Sequence, residues 1–254
     1  MAKTAKAGTA KLTLPVSERD HTQGPDTAHV TLVEYGDYEC PYCGQAYPII
    51  KNIQGRLGDK LCFVFRNFPV TQVHPHAQHS AEAAESAGSQ NKFWEMHDYL
   101  YEHQQELDDK HLRQYASALD MDVTRFDNEM AKHIHAGRIR EDFMSGIRSG
   151  VNGTPTFYIN GIRHDDSWDE KTLLTAIKDT LANSERRPAR RKKRQQQHLV
   201  EESKKVMKSY FRAFRSGYRT FFCTPQVLAH IVVPRSLSPE AAIHAGQFES
   251  APDN

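Results

Sequence analysis

Cys40-Pro41-Tyr42-Cys43, set just after the apolar run Val30-Thr31-Leu32-Val33, constrains this chain more than any other feature. Val30 to Tyr35 is β-branched and apolar and reads as a buried strand. Gly36 and Asp37 mark a turn, and Pro41 falls at the first helical positions, where its missing N–H costs least. A helix is predicted from there to about Leu57, closed by Gly58. The motif thus sits at a strand–loop–helix junction, the placement that redox chemistry at CxxC requires.

Such a pair can close a small disulfide, and the helix makes its two members unequal. The first sulfur meets backbone N–H groups that have no partner within the helix, so its thiolate is stabilised and it becomes the attacking nucleophile. The second lies nearly a turn further on, covered by its own helix. Half of a zinc site is the alternative, but it needs a second ligand pair, and neither a second CxxC nor an HxxxH partner appears.

A second signal is Val151-Asn152-Gly153-Thr154-Pro155-Thr156-Phe157-Tyr158-Ile159-Asn160-Gly161. A proline entering a β-branched and aromatic run, with Asn-Gly after it, predicts a strand that begins at a special peptide bond. A cis Thr154–Pro155 bond would free the Thr154 backbone to pair with an extended substrate segment; an ordinary trans proline is the alternative.

The ordered set VTLVEYGDYECPYC, FVFRNFPV, HPHAQHSAEAAE, KFWEMHDYLYEHQ and GVNGTPTFYING resembles the DsbA-like thiol–disulfide oxidoreductases, over about Ala28 to Leu181. The resemblance implies an α/β thioredoxin-like fold with an inserted all-helical subdomain, since 115 residues separate Cys40 from Pro155. It also implies Cys40 as nucleophile, Cys43 as buried resolving partner and Pro155 as the cis-proline. Thr154, Pro41 and Tyr42 are implied to contact substrate. Glu34, six residues before Cys40, matches a buried acid; desolvation would raise its pKa and let it take the proton of Cys43. No separate cofactor is implied, because the Cys40–Cys43 disulfide is itself the redox group. Implied partners are protein or peptide thiols and disulfides and an unidentified redox partner.

One departure bears on direction. The most oxidising members of that family carry a histidine between the cysteines, whereas Pro41 and Tyr42 cannot become cationic, and Glu39 would oppose a negative sulfur. A potential between roughly −120 and −270 mV is therefore expected.

His74 to about Gly150 reads as helical, with Ala77, Ala81, Ala84 and Ala87, then Phe93, Met96 and Leu100, then Leu112, Tyr115, Ala116 and Leu119 as core stripes. Asp120-Met121-Asp122 breaks the pattern before a helix over Val123 to Ile147. His74, His76 and His79 invite a metal, but their spacing does not place all three on one face, and no metal is assigned. Trp94 and His97 read as packing and surface residues.

Charge divides the chain. Residues 1–183 hold 19 Lys and Arg against 26 Asp and Glu, whereas 184–220 hold 13 against 3. The expected organisation is a flexible arm (1–27), a thioredoxin-fold domain (28–183, insertion about 74–149), a polybasic linker (184–198) and an extension (199–254). The extension is expected to be an amphipathic helix, with Leu199, Val206, Tyr210, Phe214 and Tyr218 along one side, then disordered and irregular from Thr224. The basic tail is either a solvated, largely irregular appendage or a surface for nucleic acid or anionic lipid. Cys62 reads as an inert strand residue and Cys223 as an unpaired thiol. Met1 to Asp20 is polar with no apolar core, so the chain as written is expected in the cytoplasm; an export signal hidden by a misassigned start is the alternative.

Two other functions remain open on sequence alone. One is a glutathione-dependent transferase or isomerase on the same fold, which the paired cysteines argue against. The other is a non-enzymatic, redox-responsive adaptor that binds through the basic tail.

Overall fold

The computed structural model describes residues 10–215. Five strands form one sheet: β1 (His21–Gln23), β2 (Val30–Gly36), β3 (Leu61–Asn67), β4 (Thr156–Ile159) and β5 (Ile162–Arg163), in the order β1-β3-β2-β4-β5. β2 and β3 run parallel, from Val30 opposite Leu61 to Gly36 opposite Asn67, joined by helix α1 (Pro41–Leu57). β4 lies antiparallel on the other side of β2, pairing Leu32 with Ile159 and Tyr35 with Thr156. Asn160 and Gly161, both at positive φ, make the tight turn into β5 that the Asn-Gly pair anticipates.

Because β2 is central, its alternating side chains enter two cores. Val30 and Leu32 pack with Phe63, Phe65, Phe157, Cys40, Cys43 and the helices on one face, while Val33 and Tyr35 join Val64, Phe68 and Tyr158 on the other. Glu34 shares the parity of Val30 and Leu32 and so faces the layer that holds both cysteines. Gly36 ends β2 where a Cβ would lie 2.3 Å from the Phe65 ring, a space only glycine leaves open.

Between β3 and β4 stands the helical insertion: α2 (Ala77–Gly88), α3 (Phe93–Glu102), α4 (Asp109–Ala118), α5 (Val123–Ala131) and α6 (Ala136–Ser149). The fold is thus a thioredoxin-like α/β fold with a helical insertion. The single helix expected over Val123 to Ile147 is two. His133 takes a positive φ of 50°, and the turn is held by His133 to Glu82 at 2.9 Å and His135 to Glu129 at 2.8 Å.

The arm expected to be flexible is, from residue 10 onward, part of the domain. Leu12 N–H donates to Gly161 O, His21–Gln23 forms edge strand β1, and Asp20 accepts both prongs of the fully buried Arg66 guanidinium at 2.8 and 3.0 Å. A three-residue polar strand and an ion pair spanning 46 residues leave no local periodicity to read. Residues 184–198, expected as a linker, are helical and belong to α7 (Glu170–Arg215). Tyr218, Cys223 and the stretch from Thr224 lie outside the described residues.

Candidate active site

Cys40 is the N-cap of α1, with extended backbone (φ −71°, ψ 120°), and Pro41 opens the helix, so the free N–H groups of the first turn surround the cysteine sulfur. Its own N–H donates to Asp37 O, and its carbonyl accepts from Gly44 N–H, both at 3.1 Å. Cys40 is 4% exposed and Cys43 fully buried, whereas Tyr42 is 61% exposed and Pro41 also faces solvent. Both cysteines are free thiols.

The chain folds Thr154 and Pro155 back onto this helix end. The Thr154–Pro155 peptide bond is cis, and the Cys40 thiol donates to the Thr154 carbonyl at 3.4 Å. Cys40, Cys43, Glu34, Thr154, Pro155, Pro41 and Tyr42 are therefore brought to one locus, with Pro41 and Tyr42 on its outer rim.

The electrostatics separate the two sulfurs. The Cys40 thiol is brought down to about 5, chiefly by a hydrogen bond from Cys43; burial opposes this, and the Thr154 side chain and the N–H groups of Cys43 and Tyr42 assist. Cys43 is pushed well above the ordinary thiol range by burial, by its bond to Cys40 and by the negative charge of Glu34 and Cys40. Glu34, buried at 3% exposure, is raised to about 8 by desolvation and then by the Cys40 charge. A buried carboxyl that titrates near neutrality beside a thiol needing to lose its proton is suited to general-base work.

Several supporting groups give no signal of their role in the sequence. The buried Asp37 carboxylate accepts from Glu39 N–H at 2.9 Å, Val70 N–H at 2.8 Å and His74 Nδ1–H at 2.8 Å, tying the turn to the loop after β3. Glu39, expected to oppose the thiolate, directs its carboxylate to His76 N–H instead. His74 pairs with Asp37 and His79 with Asp109 on the insertion, while His76 is engaged through its backbone N–H. His97 packs in the core 3.1 Å from the Tyr38 hydroxyl and is driven down to about 3 by burial, with the Lys51 and His21 charges adding to this. Gln104, 64 residues from Cys40, donates to the carbonyls of Tyr38 and Cys40. Cys62 is buried in β3, and burial raises its thiol.

A helix N-terminus carrying two unequal thiols against a cis-proline, on a sheet of this order, defines a thioredoxin-fold protein. The family model described as thioredoxin matches residues 16–179, and the chain belongs to that family. Among solved structures it is similar to oxidised BdbD from Bacillus subtilis, with 24% identity and a TM-score of 0.60 over 69% of this chain and all of that one. It is likewise similar to α-DsbA1 from Wolbachia pipientis, at 18% identity and a TM-score of 0.60, over 68% of this chain and 96% of that one. A curated relative, Na(+)/H(+) antiporter NhaA 1 from Salinispora arenicola, is 47% identical over 182 residues, covering 71% of this chain. The chain spans only 28% of the length of that antiporter. Among the described residues no helix is long and apolar enough to cross a membrane.

Proposed function

We propose that this chain is a DsbA-like thiol–disulfide oxidoreductase acting on protein or peptide thiols and disulfides through the Cys40–Cys43 pair. In the reducing direction the Cys40 thiolate attacks one sulfur of a substrate disulfide. A mixed disulfide forms at Cys40 and the first substrate sulfur leaves as a thiolate. Cys43 then gives its proton to Glu34 and attacks Cys40 Sγ. The Cys40–Cys43 disulfide closes, the second substrate thiolate departs, and the thiolate–thiol pair has lost two electrons and the one proton taken by Glu34. Read backwards, the same steps oxidise a substrate dithiol.

The observation that carries this reading is the contact between Cys40 Sγ and the Thr154 carbonyl, made across 114 residues of chain. A backbone segment held there can pair with an extended substrate while the sulfur exchanges. The likeness to an antiporter is read as a shared thioredoxin unit, since the match covers little of that protein; ion exchange is not proposed.

In an insulin-reduction assay, Cys40→Ser is expected to abolish turnover, and Cys43→Ala to accumulate mixed disulfides on non-reducing gels. Undiminished turnover by Cys40→Ser would rule the mechanism out. Absence of trapped species with Cys43→Ala would count against the assigned roles.

A further inference from the structure

Gln104 lies in the turn that follows α3, within the helical insertion, and is half-buried. Its side-chain Nε2 sits 2.7 Å from Tyr38 O and 3.0 Å from Cys40 O, so both amide hydrogens are used, one on each carbonyl. Rotating the amide by half a turn would set its oxygen against two carbonyl oxygens, which fixes its orientation. The turn that delivers it is itself anchored: Glu106 N–H donates to His103 O, and the Tyr115 hydroxyl donates to Glu106 O at 2.8 Å. On the facing side, a Cβ at Gly44 would lie 1.9 Å from Gln104 Oε1, so only a bare backbone at that first-turn position admits the amide.

We infer that Gln104 is a positioning residue for the dithiol, an amide supplied by the insertion that holds the Tyr38–Cys40 turn and offsets two carbonyl dipoles beside the Cys40 sulfur. The inference rests on the redox reading of Cys40 and adds to it a specific route by which the helical insertion acts on that cysteine. Without the amide, two carbonyls near the sulfur lose their charge-neutralising donors, and the N-cap backbone keeps only its bonds to Asp37 O and from Gly44 N–H. Anionic sulfur is disfavoured there, while neutral thiol and disulfide are little affected.

The experiment measures the iodoacetamide alkylation rate of Cys40 against pH in the full chain, with thermal melting as the control for folding. Gln104→Met, similar in size but without donors, is expected to raise the midpoint of the profile by about one pH unit, or about tenfold less thiolate below the midpoint. Gly44→Ala, which displaces the amide without altering it, is expected to move the midpoint the same way. Gln104→Lys keeps N–H donors and is expected to leave the midpoint at or below that of the unsubstituted chain. Superimposed profiles for folded Gln104→Met and Gly44→Ala would overturn the inference, as would loss of folding in both, which would make the residue merely structural. A midpoint at the ordinary thiol value in the unsubstituted chain would fail the underlying redox reading, and this inference with it, before any variant is compared.

Discussion

Replacing Glu34 by glutamine removes a charge that the fold resists forming. Its carboxyl is raised from an ordinary 4.5 to about 8 by burial and by the neighbouring Cys40 thiolate. Between these values the folded chain holds a proton that the unfolded chain releases, so stability falls as pH rises. At 1.36 kcal/mol per unit the full gap corresponds to about 5 kcal/mol, of which roughly 3 to 4 kcal/mol is lost between about pH 5 and pH 8. Glutamine does not titrate, so the Glu34→Gln protein is expected to gain that much relative to the unsubstituted chain across this interval. Urea unfolding of the two reduced proteins, followed by tryptophan fluorescence at several pH values, measures the difference. Comparing the two cancels most of the opposite slope contributed by Cys40, whose lowered pKa makes the reduced fold gain stability as pH rises from about 5. A difference that stays constant within about 0.5 kcal/mol over this range would refute a protonated, buried Glu34. In the oxidised protein the thiolate charge is gone, and the transition should move to lower pH. The same substitution is expected to prolong mixed disulfides in a single-turnover experiment by roughly 10²-fold, the lower end for loss of a general base.

The Cys40 thiolate should persist to about pH 5, read as the midpoint of its alkylation rate. Cys43→Ala, which removes the largest stabilising contact, should move that midpoint upward, and an unmoved profile would discount the sulfur–sulfur hydrogen bond. A thiol near 5 lies between the values of about 3.5 and 7 that accompany strong oxidants and thioredoxin. Equilibration with glutathione should accordingly return a potential between roughly −120 and −270 mV, and a value outside that interval would break the link between thiolate stabilisation and redox poise. Asp20→Ala would leave the Arg66 guanidinium buried without its partner and is expected to cost about 3–5 kcal/mol in urea unfolding; a loss below about 1 kcal/mol would show that water reaches Arg66.

Much of the fold is legible where the chain's periodicity and its burial agree. Val30 to Tyr35 and Leu61 to Phe65 carry apolar residues on both parities because β2 and β3 are covered on both faces, and that double coverage appears in the sequence as largely hydrophobic runs, broken in β2 by Thr31 and Glu34. The end of α1 at Leu57, with Gly58 at positive φ, follows the usual logic of a helix stop. β1 is different: His21–Gln23 is polar and short, and what holds it is pairing with β3 and the Asp20–Arg66 contact just before it. Those interactions are decided by partners 40 to 46 residues away, which no local pattern encodes.

The candidate site divides along the same line. Cys40, Cys43 and Pro155 are legible because their chemistry depends on residue type at a fixed place: sulfur at a helix start, and an imide before a strand. Glu34 is legible through parity, since a carboxyl in register with Val30 and Leu32 has to enter the layer that holds the cysteines. Asp37, Glu39 and Gln104 act through backbone groups, and a backbone carbonyl or N–H is the same at every position, so nothing in the sequence marks which of them will be met. Glu39 shows the consequence. Judged by its neighbour Cys40 it should oppose the thiolate, yet the fold turns it toward His76 N–H and leaves the sulfur to the helix end, Cys43 and Thr154. Charge adjacent in sequence therefore predicts the field at this sulfur less well than the direction the backbone gives each side chain.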